Sequence, residues 1–482
     1  MAWSRCHLQG TCGRIIVFLD FPFLPAYMPG IRHHSIPWSS IKGFSSDNAS
    51  VMVGKNNSVL SHVRQAPGSQ VFDLGCVSHI ANLCANSLIK SLHPPVEDLL
   101  IDTYYYFHGS SKRREEYKEF QIFTGVDMEE VLKHVSTRWL SMERCVGRTL
   151  SQWPALQAYF NSSDGEEKSG RVKRCADACA SEEMKLMYYF LQYALTKLNK
   201  FNIFFQPDDC HVLELEKETE GPLKAYLLNF MKVDAVNIDD MSKVDYKCEE
   251  QQKSDEYLTI GIQASRYLES ISEECDPAII TRFYRSVRAA YVAAVEKVLL
   301  KKFPSGNPIL KSVRILNPLH RTDVTEREVL KVAENFLKDA TDEQPEGIVD
   351  DWRLYQTSNS LPPFTAADTK VDEWWARLLS TKDIADQQTY KYLGDLIKIR
   401  LILPYNQTPV ERVFNMVGKT DTKFRPTLSN ESLTSLLCCK INTDNTCYET
   451  KPSTSLISLA KKATVQYNTE QCCIKYWEIT LK

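Results

Sequence analysis

Between residues 41 and 92 the hydrophobic and polar positions switch twice between a strand-like and a helix-like pattern. A short strand is predicted from Ile41 into Gly43-Phe44-Ser45-Ser46-Asp47, and a helix is predicted over 51–64. A second strand is predicted at 71–74 and a second helix at about 79–92. This β-α-β-α order favours helices packed on a sheet.

Beyond two adjacent prolines at 94–95 the pattern is almost wholly helical. Apolar residues at three- and four-residue steps predict long helices at 183–205 and 281–303. The polar segments 161–173, 233–255 and 341–368 are interpreted as exposed connectors or linkers. The remaining elements predicted are a short buried strand at 15–19, helices at 371–379, from about 391, at about 408–418 and at about 431–441, and a polar tail.

Composition places the chain among globular proteins of two or three packed units. Its 482 residues are 43% hydrophobic and 25% charged, with a net charge of -3, so nucleic-acid contact would need local basic patches. The 15 cysteines lack the spacing of a secreted scaffold and are interpreted as thiols in a reducing compartment. No stretch approaches the ~20 apolar residues of a membrane span, which leaves the nucleus or cytoplasm.

Three residues that follow the predicted strands are candidate catalytic or metal-binding residues. Asp47 follows the first strand, where a carboxylate can hold a divalent cation or cap the next helix. Cys76 and His79 follow the second strand three residues apart. A zinc site would need partner ligands at regular spacing, which the chain lacks, so a structural histidine is the simpler interpretation.

Basic residues offer two candidate contacts to nucleic acid. Arg138 and Trp139 could stack on an unpaired base and hold its phosphate, although a tryptophan also commonly anchors a helical core. Lys112, Arg113 and Arg114 form a short basic run, which is more often a solvated face than a phosphate track.

The last predicted helices carry a capping box and an apolar stripe. Thr408 is expected at the N-cap and Glu411 to reach back to it, with Pro409 between them. Either the earlier sheet or another subunit could cover the stripe, and periodicity does not separate these alternatives. The stripe consists of Leu433, Leu436, Leu437 and Ile441.

Four segments in order resemble the hAT superfamily of DNA transposases and the host proteins domesticated from them. The matching segments are Gly43-Phe44-Ser45-Ser46-Asp47-Asn48-Ala49-Ser50-Val51-Met52-Val53-Gly54-Lys55, Cys76-Val77-Ser78-His79-Ile80-Ala81-Asn82-Leu83, Thr137-Arg138-Trp139-Leu140, and Leu403-Pro404 through Glu411-Arg412-Val413-Phe414 to Arg425-Pro426-Thr427-Leu428. Each motif is weak alone, but their order along the chain is specific.

The resemblance implies an α/β fold in which a truncated RNase H-like sheet is interrupted by a large all-helical insertion. It implies an atypical segment at 1–40, a first RNase H-like part at 41–92, the insertion at 93–365, and closing helices with a dimerisation region at 366–482. Dimerisation would use Val410, Phe414, Leu433, Leu436 and Leu437.

The resemblance also implies roles for individual residues. Asp47 matches the second catalytic carboxylate and Glu411 the third, both as ligands of Mg²⁺ or Mn²⁺ in an active enzyme. Cys76 and His79 match an element beside the active site. Arg138 and Trp139 match the pair associated with the transposon-end hairpin, and Lys112, Arg113 and Arg114 would be further DNA contacts.

Departures from the family pattern favour a function without catalysis. Only 46 residues precede Asp47, Asp20 is too close to it to be the first carboxylate, and no BED-type zinc finger precedes it. We therefore expect a transposase-derived nuclear protein without a cofactor that acts as a homodimer or binds another protein. The alternatives are a metal-dependent transposase whose first carboxylate and finger are missing from this chain, and a DNA-binding regulator.

Overall fold

A computed structural model describes most of the chain as an α-rich mixed fold. It describes residues 5–8, 14–17, 38, 41–47, 49–68, 71–134, 141–162, 170–205, 213, 215–238, 241–299, 312–337, 343–365, 368, 370–403, 406–420, 428–441, 449 and 451–480. These residues divide into two compact units, one from 1–21 with 413–482 and the other from 22–412.

The described strands form two separate two-stranded sheets. β1 (Arg5–Leu8) pairs antiparallel with β2 (Arg14–Val17). β3 (Gly43–Ser46) pairs parallel with β4 (Phe72–Gly75), with Gly43 opposite Phe72 and Ser46 opposite Gly75. The strands predicted at 41–47 and 71–74 are thus confirmed, and the sheet predicted from the β-α-β-α order is a parallel pair.

Helices make up most of the remaining described structure. Those of the larger unit before residue 300 are α1 (Ser50–Val53), α2 (Val59–Gln65), α3 (Val77–Lys90), α4 (Val96–His108), α5 (Ser111–Thr124), α6 (Ser141–Ser151), α7 (Trp153–Asn161), α8 (Gly170–Ala180), α9 (Glu182–Phe204), α10 (Leu215–Leu227), α11 (Val233–Val236), α12 (Ile262–Ile271) and α13 (Pro277–Leu299). The later helices are α14 (Glu326–Phe336), α15 (Glu343–Thr357), α16 (Val371–Leu379), α17 (Lys391–Leu401), α18 (Thr408–Thr420), α19 (Asn430–Ile441) and α20 (Thr454–Thr480).

The core of the larger unit is built around α3, α9 and α13. α13 packs along α3, and α9 packs against both α3 and α6. The Ser181 hydroxyl caps α9 by accepting the amide of Met184 at 3.2 Å. α9 and α13 correspond to the long helices predicted at 183–205 and 281–303, of which residues 300–303 lie outside the described residues. Both helices carry apolar residues on the positions that face the core.

A second buried cluster is aromatic and lies among α15, α16 and α17. Its rings belong to Trp352, Tyr355, Trp374, Trp375 and Tyr390. The prediction of a linker over 341–368 is therefore wrong for α15, since Trp352 and Tyr355 are fully buried. Burial of these rings outweighs the local signals of proline and charge, and Pro345 sits in the first turn, where the missing amide costs little.

Three further predicted segments differ from the structure. The helix predicted over 51–64 is two helices, because Ser58 and Ser61 form a capping box that begins α2. Residues 233–255 are not simply exposed, since Met241, Val244 and Tyr246 are buried. The predicted polar tail contains the long helix α20. None of the helices in the described ranges carries an apolar stretch that could span a membrane.

Candidate functional site

The carboxyl ends of β3 and β4 meet at one edge of the parallel pair. Asp47 directly follows β3, and Cys76 directly follows β4. In a parallel sheet such ends lie on the same side, which is where α/β proteins commonly place their sites. The chain therefore brings the first two sequence-predicted site positions to one place.

The segment before α18 joins this edge through Gln407. The side-chain amide of Gln407 donates to the carbonyl oxygen of Ser45 at 2.7 Å, and its backbone amide donates to Cys76 Sγ at 3.4 Å. One residue thus bridges the ends of both strands. Glu411, one turn further along α18, is held near Asp47 as a consequence.

Asn406 completes the junction. Its Oδ1 accepts the amide of Thr408 at 3.1 Å and the Thr408 hydroxyl at 2.9 Å, while Cys76 Sγ donates to it at 3.6 Å. Its side-chain amide also donates to the carbonyl oxygen of Phe205. Thr408 is therefore the first residue of α18 and not its N-cap as predicted, and the Asn406 side chain accepts its amide.

Asp47 also differs from the helix-cap interpretation. Its Oδ1 accepts the amide of Ala49 at 3.0 Å, which makes a local turn, while Ala49 occupies the N-cap of α1 without a side-chain cap. Asp47 is half-buried. The turn holds its carboxylate, which lies close enough to Glu411 to act on it electrostatically.

The negative charge of Asp47 acts on the carboxyl group of Glu411. Its pKa is raised above the usual value, mainly because the group is partly desolvated and also because of the negative charge of Asp47. The two carboxylates are thus close enough to repel one another.

We expect Asp47→Asn to lower the pKa of Glu411 toward its ordinary value, because the substitution removes the repelling charge. An NMR titration with carbon-13-labelled glutamate would measure this change. Asp350→Asn, at an exposed carboxylate of α15, is the control and should leave the Glu411 pKa unchanged. An unchanged pKa in Asp47→Asn would contradict the placement of the two side chains.

The same shift gives stability a defined pH dependence. Since the folded-state pKa of Glu411 is raised, the folded chain holds this proton more tightly than the unfolded chain does. Ionisation of Glu411 therefore opposes folding as pH rises above the unfolded-state pKa. In Glu411→Gln this loss should be absent.

Cys76 is a structural thiol. It is fully buried, and burial raises its pKa to about 11, although the amides of Gln407, His79 and Ser78 partly counter this. At neutral pH the group is a neutral thiol, which is a poor nucleophile and metal ligand. His79 lies half-buried in the first turn of α3.

These residues do not fit a two-metal centre. In the part of the chain that the structure describes, no three histidine, cysteine, aspartate or glutamate side chains are grouped to hold a metal ion. A pair of ions that activates water and stabilises the leaving oxygen needs more negative ligands than Asp47 and Glu411 supply. At the β3–β4 edge the structure therefore places two carboxylates, of Asp47 and Glu411, and the neutral thiol of Cys76.

The predicted basic contacts are divided. Arg138 and Trp139 lie outside the described residues. In the first turn of α5, Arg113 lies over the Tyr106 ring at 4.3 Å and donates to the Tyr106 carbonyl at 3.1 Å. Lys112 Nζ lies 3.8 Å from Glu116 Oε1, and the Arg114 guanidinium donates to Ser111 Oγ at 3.2 Å. Arg113 thus has a structural role.

The predicted dimerisation residues differ in exposure. Phe414 and Leu436 are 39% and 38% exposed, whereas Leu437 is only 1% exposed. Val410 and Leu433 are half-buried. Leu437 is therefore a core position, while Phe414 and Leu436 offer apolar surface.

The sequence interpretation missed α20 as an apolar surface. Leu456, Leu459 and Val465 are 57%, 62% and 66% exposed. The spacing of Leu456 and Leu459 places them on one helix face, and this three-residue step within a mainly polar segment was the only local signal. No protein-family model and no curated protein sequence matches the chain.

Proposed function

We propose that this is a transposase-derived protein that acts through self-association and does not cleave DNA. The parallel pair with Asp47 and Glu411 would be the remnant of an RNase H-like sheet, and the helices between them the insertion. This proposal combines the four sequence motifs with the arrangement of the strand ends.

The observation that carries the proposal is the apolar surface that α18, α19 and α20 expose in the unit formed by residues 1–21 and 413–482. Phe414, Leu436, Leu456, Leu459 and Val465 all expose more than a third of their surface. Leu456 and Leu459 are three residues apart on one face of α20, and such a pair of exposed apolar side chains suits a protein-protein contact better than a single one does. The family resemblance implies that the partner is a second copy of the chain. It also implies that the two copies associate in the nucleus.

A metal-dependent transposase is the second candidate, and one observation favours it. Asp47 and Glu411 repel each other at the same sheet edge, as the ligands of a divalent cation would without their ion. Against this candidate, no further carboxylate among the described residues is grouped with Asp47 and Glu411.

Incubation with DNA separates the two functions. With Mg²⁺ or Mn²⁺, we expect the purified full chain to leave nicked and branched DNA intact, because two carboxylates do not assemble a metal pair. Gel electrophoresis of end-labelled DNA measures this. Asp47→Ala is the matched control: cleavage by the wild type that this variant abolishes would contradict the proposal and establish the metal-dependent enzyme.

A further inference from the structure

A surface cavity of about 890 Å³ lies in the larger unit, away from the β3–β4 edge along the chain. The segment after α10, the irregular segment before α12, and α13 form its walls. Its volume is in the range of small-ligand sites. It is lined by Lys232, Val233, Glu249, Gln252, Lys253, Ser254, Tyr257 and Arg288.

Two lysines of the cavity extend from a paired backbone. Met231 and Gln252 form an isolated antiparallel bridge. Beside it, the amide of Lys232 donates to Gln251 at 2.9 Å, and the amide of Lys253 donates to Phe230 at 2.8 Å. These hydrogen bonds hold both lysine backbones in place, although the surrounding segment is irregular.

Neither lysine makes an ion pair with a described residue. Lys253 Nζ donates to the carbonyl oxygen of Leu228 at 2.6 Å, and Lys232 Nζ donates to that of Glu250 at 2.7 Å. Each ammonium therefore keeps two further protons for another acceptor. Partial desolvation lowers the pKa of Lys253, and a bound anion would raise this pKa again because it favours the charged ammonium.

Arg288 is held at the same cavity by two partners. Its guanidinium donates to Gln252 Oε1 at 3.0 Å and to Asp255 Oδ1 at 2.6 Å. Gln252 is itself buried and donates to the carbonyl oxygen of Tyr246 at 2.9 Å. The guanidinium is thus pre-oriented, which reduces the entropy lost when a ligand binds. Glu249 is the carboxylate of the lining, and because Asp255 pairs with Arg288, Lys232 and Lys253 supply the positive charge that is left for a ligand.

Tyr257 supplies a flat ring that the protein leaves exposed. The residue is 67% exposed, and the neighbouring Val233 is 66% exposed. An aromatic ring beside unpaired cations suits a ligand that has both a planar ring and a phosphate, since bases stack on aromatic faces.

We propose that this cavity binds a nucleoside monophosphate, with its phosphate on Lys232 and Lys253 and its base against Tyr257. Arg288 would define the side of the cavity nearest α13. This site is independent of self-association and of the two carboxylates.

Calorimetric titration of the full chain with AMP, adenosine and inorganic phosphate tests the proposal. We expect AMP to bind at least roughly tenfold more tightly than either fragment, because only AMP uses both parts of the site. Lys232→Gln and Lys253→Gln should each weaken AMP binding roughly tenfold, since each removes a charged hydrogen bond. Tyr257→Ala should weaken AMP binding but not phosphate binding. Lys331→Gln, at an exposed lysine of α14, is the control.

The Lys232 variant keeps the test independent of folding. Each lysine hydrogen-bonds a carbonyl oxygen, but Lys232 is exposed, so Lys232→Gln is expected to fold normally. Absence of AMP binding at millimolar concentration would overturn the proposal, as would binding that both lysine variants retain. Equal affinity for AMP and phosphate, with no effect of Tyr257→Ala, would overturn the assignment of a nucleotide. A parallel titration with an oligonucleotide that shows binding where AMP shows none would overturn it as well.

Discussion

Trp375→Ala should lower the free energy of unfolding by about 3–5 kcal/mol, the usual cost of removing a large buried aromatic side chain. Trp375 is fully buried, and its ring packs against Tyr355 and Trp374 at centroid distances of 5.2 and 5.1 Å. Its indole nitrogen also donates to the carbonyl oxygen of Leu316 at 2.8 Å. The substitution leaves both a cavity and an unpaired buried acceptor. Urea unfolding measures the change.

The control for this variant is Leu354→Ala on α15. Leu354 is 47% exposed, so its truncation should change stability by no more than about 0.5 kcal/mol. Trp375→Ala should leave the oligomeric state unchanged, because the ring faces the core of its own unit. A dissociated but equally stable Trp375→Ala protein would show instead that the ring belongs to an interface.

A double variant, Leu456→Asp with Leu459→Asp, should weaken self-association by at least about 100-fold. The two leucines are exposed on one face of α20, and burying two carboxylates in an apolar contact would remove its central anchors. Because neither residue is buried, the helix content in circular dichroism should remain. Size-exclusion chromatography with light scattering measures the loss of dimer.

Leu354→Asp is the control, since it places one such carboxylate at an exposed leucine of the larger unit. It should leave the dimer intact. A double variant that dimerises as tightly as the wild type would contradict the role of α20 and would move the interface to Phe414 and Leu436. Leu437 is unsuitable for this test because it is buried, and a charge there would unfold the unit.

Sequence periodicity predicted the elements whose apolar positions follow one regular spacing. β3, β4 and α16 agree with the predicted strands and helix, and α19 begins within one residue of its predicted start. In α16 the pair Trp374 and Trp375 carries the signal, since both rings are buried. Family resemblance suggested the nearness of Asp47 and Glu411, which periodicity could not.

The missed features depend on contacts between distant residues. Gln407 bridges Ser45 and Cys76 across more than 300 positions, and nothing local to it distinguishes it from an ordinary loop residue. Likewise, α15 is stabilised by burial of Trp352 and Tyr355, and the Tyr355 ring packs against Trp375 of α16, which the polar linker composition concealed. Tertiary burial outweighs local propensity in both segments.

Sedimentation equilibrium of the wild-type full chain tests the central claim most directly. We expect a concentration-dependent dimer that is populated in the low micromolar range, because self-association is the activity that the proposal retains. A chain that stays monomeric at high micromolar concentration would contradict the account.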